Sequence, residues 1–310
     1  MYAQAILTRE TAVALRPPRP AIDLPKTQLL KHTTTAAPTP QRAQRQREQV
    51  GSYASHVDNT QQASPDRHRP APRPVDVHST GSKTFTRDNH EKQMRHSKLP
   101  SLPSGANLHV VTPGWAGNLG TGGRVWPGAA AMCQLLVSMQ PELQGSSVLE
   151  LGAGAGAVGI FAAALGASRV LLTDGGEGET ALAKLNARRH SHLYRGATVD
   201  AHKYLWGEPL AGLMAGDKHF DFVLGADITY SLPLLPPLCD TLAELRERHR
   251  ERHSSSEGPI MLLSHQVNRH GERELPRILS LVAAGRGLDV RPLDAVASVS
   301  IPNVVFYSVT

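Results

Sequence analysis

A short apolar segment runs directly into a cluster of glycines near the middle of this chain. Ser147–Leu151 reads Ser-Val-Leu-Glu-Leu, which has the length and composition of a buried strand. Four glycines follow this segment closely: Gly152, Gly154, Gly156 and Gly159. Glycines between a strand and a helix permit a tight turn and a close approach of ligand to backbone, and the helix N-terminus offers N–H groups. The sequence therefore predicts a cofactor-binding loop after a buried strand.

Further apolar segments alternate with stretches of helical periodicity toward the C-terminus. Strands are predicted at residues 147–151, 170–173, 198–200, 220–224, 259–264 and 304–309, with a weaker candidate at 108–111. Helices are predicted at residues 129–139, 158–165, 179–189, 235–248 and 273–284. Strands that alternate with helices of this length form βαβ units with right-handed crossovers. The predicted fold class is therefore α/β with a mostly parallel sheet.

The N-terminal third of the chain differs in composition from the rest. Residues 1–100 contain 16 Lys and Arg against 8 Asp and Glu, whereas residues 101–310 contain 17 against 19. The first third is rich in Pro, Gln, Thr, Ser and His and poor in aromatic residues, so it cannot bury enough apolar surface to fold. We therefore expect a disordered basic tail at residues 1–104 and one folded domain at 105–310. No aromatic residues interleave with the arginines, so specific nucleic-acid binding is not expected.

Cysteine usage and hydropathy exclude several other classes. Cys133 and Cys239 lie far apart and follow no metal-ligand spacing, so neither a metal site nor a disulfide framework is expected. No run approaches the roughly 18 apolar residues that a membrane span requires. The first residues lack a basic region followed by an apolar core, so a secretory signal is not expected, although an organelle transit peptide stays open. We expect a cytoplasmic monomer.

The glycine loop by itself leaves two cofactors open. Gly154, Gly156 and Gly159 satisfy the G-x-G-x-x-G pattern of dinucleotide-binding domains, so a nicotinamide or flavin enzyme is one alternative. Asp174 follows the second predicted strand, where a carboxylate can accept hydrogen bonds from both hydroxyls of a ribose. That position is compatible with NAD and with S-adenosylmethionine. Glu150, just before the first glycine, and the long helical lead-in are typical of methyltransferases and favour S-adenosylmethionine.

Four segments together resemble the methyltransferase-like lysine methyltransferases, a branch of the seven-stranded class I enzymes. They are Gly-Arg-Val-Trp-Pro-Gly at residues 123–128, the glycine loop at 148–159, Leu-Trp-Gly at 205–207, and Asp-Phe-Val-Leu-Gly-Ala-Asp-Ile-Thr-Tyr at 221–230. The last segment contains the D-x-x-Y signature of the family and is the most specific. The order and spacing of all four match, and the resemblance covers about residues 105–310.

The resemblance implies a Rossmann-like class I methyltransferase with helices on both faces of a mostly parallel seven-stranded sheet. It implies that S-adenosylmethionine donates a methyl group to a nitrogen of a protein substrate, most simply a lysine. The residues that it implies for cofactor binding are Trp126, Glu150, Gly152, Ala153, Gly154, Gly156, Asp174, Trp206 and Ala226. Asp227 and Tyr230 are the implied catalytic residues, which would orient the acceptor amine.

Several alternatives remain open at the level of sequence. Leu205 stands where the lysine methyltransferases of this group usually have an acidic or polar residue, and some relatives with a Val-Trp-Pro opening act on arginine. A small metabolite or RNA is a further possible acceptor, although the N-P-P-Y-type signature for base nitrogens is absent. Asp227 can instead cap the following turn, and His265 is either a general base or an ordinary loop residue. A cofactor-binding module without catalytic activity is the non-enzymatic alternative.

Overall fold

The computed structural model describes residues 94–113, 119, 121–213, 219–253, 258–267, 275–293 and 299–310. Residues 1–93 of the tail expected at 1–104 lie outside this range, as do the first two residues of the helix predicted at 273–284.

The described chain begins with a β-hairpin. Strand β1 (Met94–Lys98) pairs antiparallel with strand β2 (His109–Pro113). The buried amide of Asn186 holds the hairpin, because it accepts a hydrogen bond from the Val111 N–H at 2.8 Å and donates to the Val111 carbonyl at 3.0 Å. Leu99 and Leu102 after β1 are also buried. Strand β1 and these buried leucines lie before residue 105. Strand β1 is a half-exposed edge strand with no apolar alternation that would identify it in the sequence.

The main sheet of the described chain has seven strands. They are β3 (Ser147–Leu151), β4 (Arg169–Asp174), β5 (Thr198–Lys203), β6 (Phe222–Ala226), β7 (Ile260–Gln266), β8 (Val290–Pro292) and β9 (Val304–Val309). Their spatial order is β5-β4-β3-β6-β7-β9-β8. The first five in this order are parallel neighbours, and β9 is antiparallel to both β7 and β8. The predicted seven-stranded, mostly parallel sheet is therefore confirmed.

Helices cover both faces of this sheet. Their bounds are α1 (Pro127–Ser138), α2 (Gln140–Leu143), α3 (Ala157–Leu165), α4 (Glu177–Arg189), α5 (Leu235–His253) and α6 (Leu275–Ala284). One hydrophobic cluster joins the sheet to α1, α3 and α4, and a second joins it to α5 and α6. Successive residues of β3 contribute to opposite clusters: Val148 packs in the first, and Leu149 packs in the second. This explains why every residue of β3 is buried.

The strand order reverses direction at β3, which lies between β4 and β6. Chain segments that leave the carboxyl ends of β3 and β6 therefore diverge toward opposite faces of the sheet. Open α/β sheets bind ligands in the crevice at such a point, outside the carboxyl ends of the strands. The glycine loop follows the carboxyl end of β3, and Asp227 follows the carboxyl end of β6.

Candidate active site

The glycine loop adopts a backbone that side chains would not tolerate. Gly152 and Gly154 have φ values of 62° and 51°, in the left-handed region that favours glycine. A Cβ atom on Gly154 would lie 2.7 Å from the carbonyl oxygen of Gly122, and one on Gly152 would lie 2.7 Å from Cγ2 of Ile228. The loop therefore brings bare backbone to the crevice, as the sequence predicts.

The carboxylate of Asp174 closes this loop against the end of β4. Its Oδ2 accepts a hydrogen bond from the Gly154 N–H at 2.9 Å, and its Oδ1 accepts one from the Gly176 N–H at 3.1 Å. The backbone supports the same arrangement, since the Ala153 N–H donates to the Thr173 carbonyl at 2.8 Å. Each carboxylate oxygen has two lone pairs, so Asp174 retains acceptor capacity for a ligand.

Glu150 lies beneath the loop and is buried. Its Oε2 accepts a hydrogen bond from the Gly159 N–H in the first turns of α3 at 2.7 Å. Burial raises the pKa of this carboxyl to about 8, although the backbone N–H groups of Gly159 and Val158 act in the opposite direction. Gly159 is required here because a Cβ atom would lie 2.9 Å from Oε2 and closer still to Leu172.

A cavity of about 340 Å³ opens at this edge of the sheet. Ten of the eleven predicted site residues line it: Trp126, Glu150, Gly152, Ala153, Gly154, Asp174, Trp206, Ala226, Asp227 and Tyr230. Gly156 is not among the lining residues. It precedes α3 with a φ of 78°. A Cβ atom there would meet Leu172 at 3.0 Å, so Gly156 allows the turn to pack closely against β4.

Trp126 belongs to a segment that covers the glycine loop. The indole Nε1 donates a hydrogen bond to the Thr121 carbonyl at 3.0 Å, which ties the two ends of the segment together. The Gly122 carbonyl lies against Gly154, and Trp126 itself directly precedes α1. Residues 121–126, which precede α1, therefore contribute one wall of the cavity.

Asp227 joins three elements at the opposite end of the cavity. It has a φ of 54°, which is uncommon for a residue other than glycine. Its Oδ2 accepts a hydrogen bond from the Gly128 N–H at 2.6 Å, and its Oδ1 accepts one from the Gln266 N–H at 2.7 Å. The carboxylate thus connects the ends of β6 and β7 to the start of α1. Both donors lie far from Asp227 in sequence.

Polar and apolar side chains surround Asp227 at the cavity mouth. His265 is buried and lines the cavity, and its Nδ1 lies 3.0 Å from the hydroxyl oxygen of Thr229. Tyr230, Leu205 and Leu234 are exposed at 43%, 48% and 37%, and all three also line the cavity. An apolar rim next to a buried polar floor is typical of a site that receives a chain segment from a partner.

Other lining residues were given no role in the site from the sequence, among them Arg124, Glu179, Leu234 and Gln266. Arg124 precedes Trp126 by two residues, and this proximity was the one sequence signal that could have placed it in the site. The described residues contain no group of three or more His, Cys, Asp or Glu side chains arranged for a metal ion. None of their helices has the length and apolar character that crossing a membrane requires.

The cavity has the features that a nucleoside cofactor requires. Its volume falls within the roughly 300–1,000 Å³ of small-molecule sites. Side chains on Gly152 or Gly154 would collide with neighbouring atoms, so backbone approaches the space directly. Trp126 and Trp206 supply aromatic walls, and Asp174 supplies a carboxylate at the end of β4. The fold and cavity define an α/β domain of the class that binds nucleoside cofactors at the switch point of its sheet.

Comparison with known proteins identifies the family. The chain belongs to a lysine methyltransferase family, whose model matches residues 113–268. Protein N-lysine methyltransferase METTL21A of Danio rerio is 38% identical over 151 residues, which cover 48% of this chain and 62% of that protein. EEF1A lysine methyltransferase 3 of Mus musculus is 33% identical over 190 residues, which cover 58% of this chain and 73% of that protein.

Partial similarity to solved structures is also found. An O-methyltransferase from Bacillus cereus in complex with SAH is 22% identical, with a TM-score of 0.42, and covers 62% of this chain and 84% of that chain. The family membership confirms the resemblance that the four sequence segments indicated.

Proposed function

We propose that this protein is an S-adenosylmethionine-dependent methyltransferase that modifies a lysine side chain of a protein substrate. One observation carries the proposal: the segment that matches the lysine methyltransferase family, residues 113–268, contains every residue that lines the cavity. The similarity to METTL21A and EEF1A lysine methyltransferase 3 supports lysine as the acceptor.

The cavity lining suggests how the cofactor is held. Backbone at Gly152, Ala153 and Gly154 would lie along it, Asp174 would accept hydrogen bonds from its ribose, and Trp126, Trp206 and Ala226 would form the walls. We propose that Glu150 contributes indirectly, since it holds the N-terminal turns of α3 beneath the loop. When bound, S-adenosylmethionine supplies an electrophilic methyl group on a positively charged sulfur.

The residues at the other end of the cavity would prepare the acceptor. A lysine side chain is an ammonium at neutral pH and must lose a proton before its nitrogen can attack. The negative charge of Asp227 would attract and orient this ammonium, and the Tyr230 hydroxyl would hydrogen-bond the amine. Entry into a partly closed cavity removes water from the amine and lowers its pKa, which favours the neutral nucleophile.

The apolar rim favours a macromolecular acceptor over a small metabolite. Leu205, Tyr230 and Leu234 are exposed and line the cavity. Three large side chains with apolar surface in water around one opening are better explained by contact with a protein segment than by recognition of a small polar molecule. This supports a protein substrate.

Incubation of the full chain with methyl-labelled S-adenosylmethionine and a cell lysate tests the proposal. We expect a labelled protein band whose acid hydrolysate contains methyllysine. Gly154→Ala serves as the control, because it places a methyl group against the Gly122 carbonyl and should abolish labelling. Methylarginine in the hydrolysate would reassign the acceptor. Cofactor binding without any labelled product would support the non-catalytic alternative instead.

A nicotinamide-dependent oxidoreductase is the competing enzyme class. It predicts that NAD raises the melting temperature of the protein, whereas our proposal predicts stabilisation by S-adenosylhomocysteine and none by NAD. We further propose that the protein acts as a cytoplasmic monomer. The free thiols of Cys133 and Cys239 agree with a reducing compartment.

A further inference from the structure

Arg124 lies in the segment that covers the glycine loop, and its side chain lines the cavity. Its position is fixed from both sides: the Trp126 indole is hydrogen-bonded to the Thr121 carbonyl, and the Gly122 carbonyl lies against Gly154. Arg124 is exposed, and no acidic side chain of the described residues forms an ion pair with it. Arg124 therefore brings a positive charge to the cavity lining, and no ion pair within the described residues neutralises it.

The charges around the cavity are otherwise negative. Among the described residues that line it, Arg124 is the one Lys or Arg, whereas Asp174, Glu179 and Asp227 carry carboxylates. Glu150 also lines the cavity, but burial raises the pKa of its carboxyl to about 8, so it is not counted among these negative charges. S-adenosylmethionine has a positive sulfonium, a positive ammonium and one carboxylate. Carboxylates of the protein repel that carboxylate, so a cation beside it favours binding. A guanidinium matches a carboxylate in charge and in hydrogen-bonding geometry.

The proposed acceptor gives a second reason to assign Arg124 to the cofactor. A lysine ammonium that enters the cavity is repelled by a guanidinium whose charge is not neutralised. Pairing of Arg124 with the cofactor carboxylate removes this repulsion and leaves the negative charge of Asp227 to act on the acceptor. The positive charge of Arg124 thus favours binding of the cofactor. It disfavours entry of the acceptor ammonium until the cofactor is bound.

We infer that Arg124 binds the carboxylate of the amino-acid portion of S-adenosylmethionine. This assignment rests on the proposed function, and it adds a residue that neither the glycine loop nor the D-x-x-Y signature contains. It also implies an order of binding in which the cofactor enters before a cationic acceptor.

Calorimetric titration of the full chain with two ligands tests the assignment. S-adenosylhomocysteine contains the carboxylate, whereas S-adenosyl-3-thiopropylamine keeps the nucleoside, the thioether and the amine but lacks the carboxylate. We expect the wild-type protein to bind S-adenosylhomocysteine about tenfold more tightly than the amine, as for one charge-assisted hydrogen-bonded pair. Arg124→Ala should bind both ligands with the affinity that the wild type shows for the amine.

Arg188→Ala is the matched control, since it removes the same charge from the exposed surface of α4, away from the cavity. It should retain the preference for the carboxylate. Equal weakening of both ligands in Arg124→Ala, or an unchanged preference, would overturn the assignment while leaving the proposed function intact. If the wild-type protein bound neither ligand, the proposed function would fail and the assignment with it.

Discussion

Oδ2 of Asp227 accepts a hydrogen bond from the backbone N–H of Gly128 at 2.6 Å, between residues 99 positions apart in sequence. Oδ1 of the same carboxylate accepts a second hydrogen bond from the Gln266 N–H at 2.7 Å. One carboxylate therefore sets the relative positions of α1, β6 and β7 at the acceptor end of the cavity. A side chain in this position orients its surroundings in addition to any direct action on the substrate.

Asp227→Asn should reduce turnover much more than cofactor affinity. An asparagine keeps the size of the side chain but turns its NH₂ group toward one of the two N–H donors, which leaves that donor without an acceptor. We expect a loss of stability of about 1–3 kcal/mol and a fall in kcat of at least about tenfold. The affinity for S-adenosylhomocysteine should change by less than about threefold, a shift well under 1 kcal/mol.

The control for this substitution is Asp221→Asn. Asp221 precedes the other end of β6, where its Oδ2 accepts a hydrogen bond from the Ser147 N–H at 2.8 Å. It should lower stability to a similar extent without affecting turnover of the folded protein. Equal effects of the two substitutions on kcat, measured well below the melting temperature, would show that Asp227 contributes to stability alone.

Asp174→Ala should weaken cofactor binding while preserving the fold. The substitution removes the acceptor for the proposed ribose hydroxyls and also the hydrogen bond from the Gly154 N–H. Hydrogen bonds to a charged group contribute about 1.5–3 kcal/mol, so we expect the Kd of S-adenosylhomocysteine to rise by about 10- to 100-fold. Calorimetry measures the affinity, and circular dichroism checks the fold. Asp200→Ala, an exposed carboxylate on β5, should leave the Kd unchanged; an unchanged Kd for Asp174→Ala would remove the ribose role.

The sequence predicts a structural feature well when residues close together in the chain determine it, and poorly when the feature depends on contacts between distant residues. The strands at Ser147–Leu151 and Val304–Val309 were predicted with their observed bounds, because burial leaves a local apolar signature. Strand β1 was missed, because its extended conformation arises from pairing with β2 rather than from its own residues. Helix α5 continues to His253, beyond the predicted end at residue 248, because its last turns are polar and carry no periodic signal.

The cavity also combines features that the sequence predicts with features that it does not. Motif spacing located ten lining residues, since the carboxyl ends of parallel strands meet at one edge of the sheet. The contacts of Asp227 with Gly128 and Gln266 could not be predicted, because they depend on how three elements meet in space. Arg124 was given no role from the sequence for a related reason: an arginine in a loop is usually solvated, and only its place in the cavity lining distinguishes it.

Gly154→Ala and Gly196→Ala form a pair that separates backbone strain from obstruction of the loop. Both glycines have a positive φ, at 51° and 94°, so alanine strains the backbone at either position, by about 1–2 kcal/mol. A Cβ atom on Gly154 would lie 2.7 Å from the Gly122 carbonyl, whereas one on Gly196 would meet nothing within 4 Å. Both variants should therefore lose stability, and Gly154→Ala alone should lose binding of S-adenosylhomocysteine. Normal affinity in a folded Gly154→Ala protein would contradict the close approach of the loop to the ligand.

Glu150 makes the stability of the protein depend on pH in a direction that is unusual for a carboxyl group. Burial raises its pKa from 4.5 to about 8 in the folded protein, so the folded state binds a proton that the unfolded chain releases at neutral pH. Its contribution to stability is therefore complete below pH 4.5 and decreases as the pH rises to about 8. In that interval the loss approaches about 1.4 kcal/mol per pH unit.

Glu150→Gln should remove this dependence while keeping the hydrogen bond, because the amide oxygen of glutamine can still accept from the Gly159 N–H. We expect the variant to gain stability over the wild type as the pH rises between about 5 and 8, as linkage of one buried carboxyl requires. Urea denaturation of both proteins at several pH values measures this difference, and comparison of the two cancels the histidines and other groups that they share. Parallel stability profiles would mean that Glu150 is ionised in the folded protein. In that case the N-terminal turns of α3 neutralise its charge, and the glycine loop lies above a carboxylate rather than a carboxylic acid.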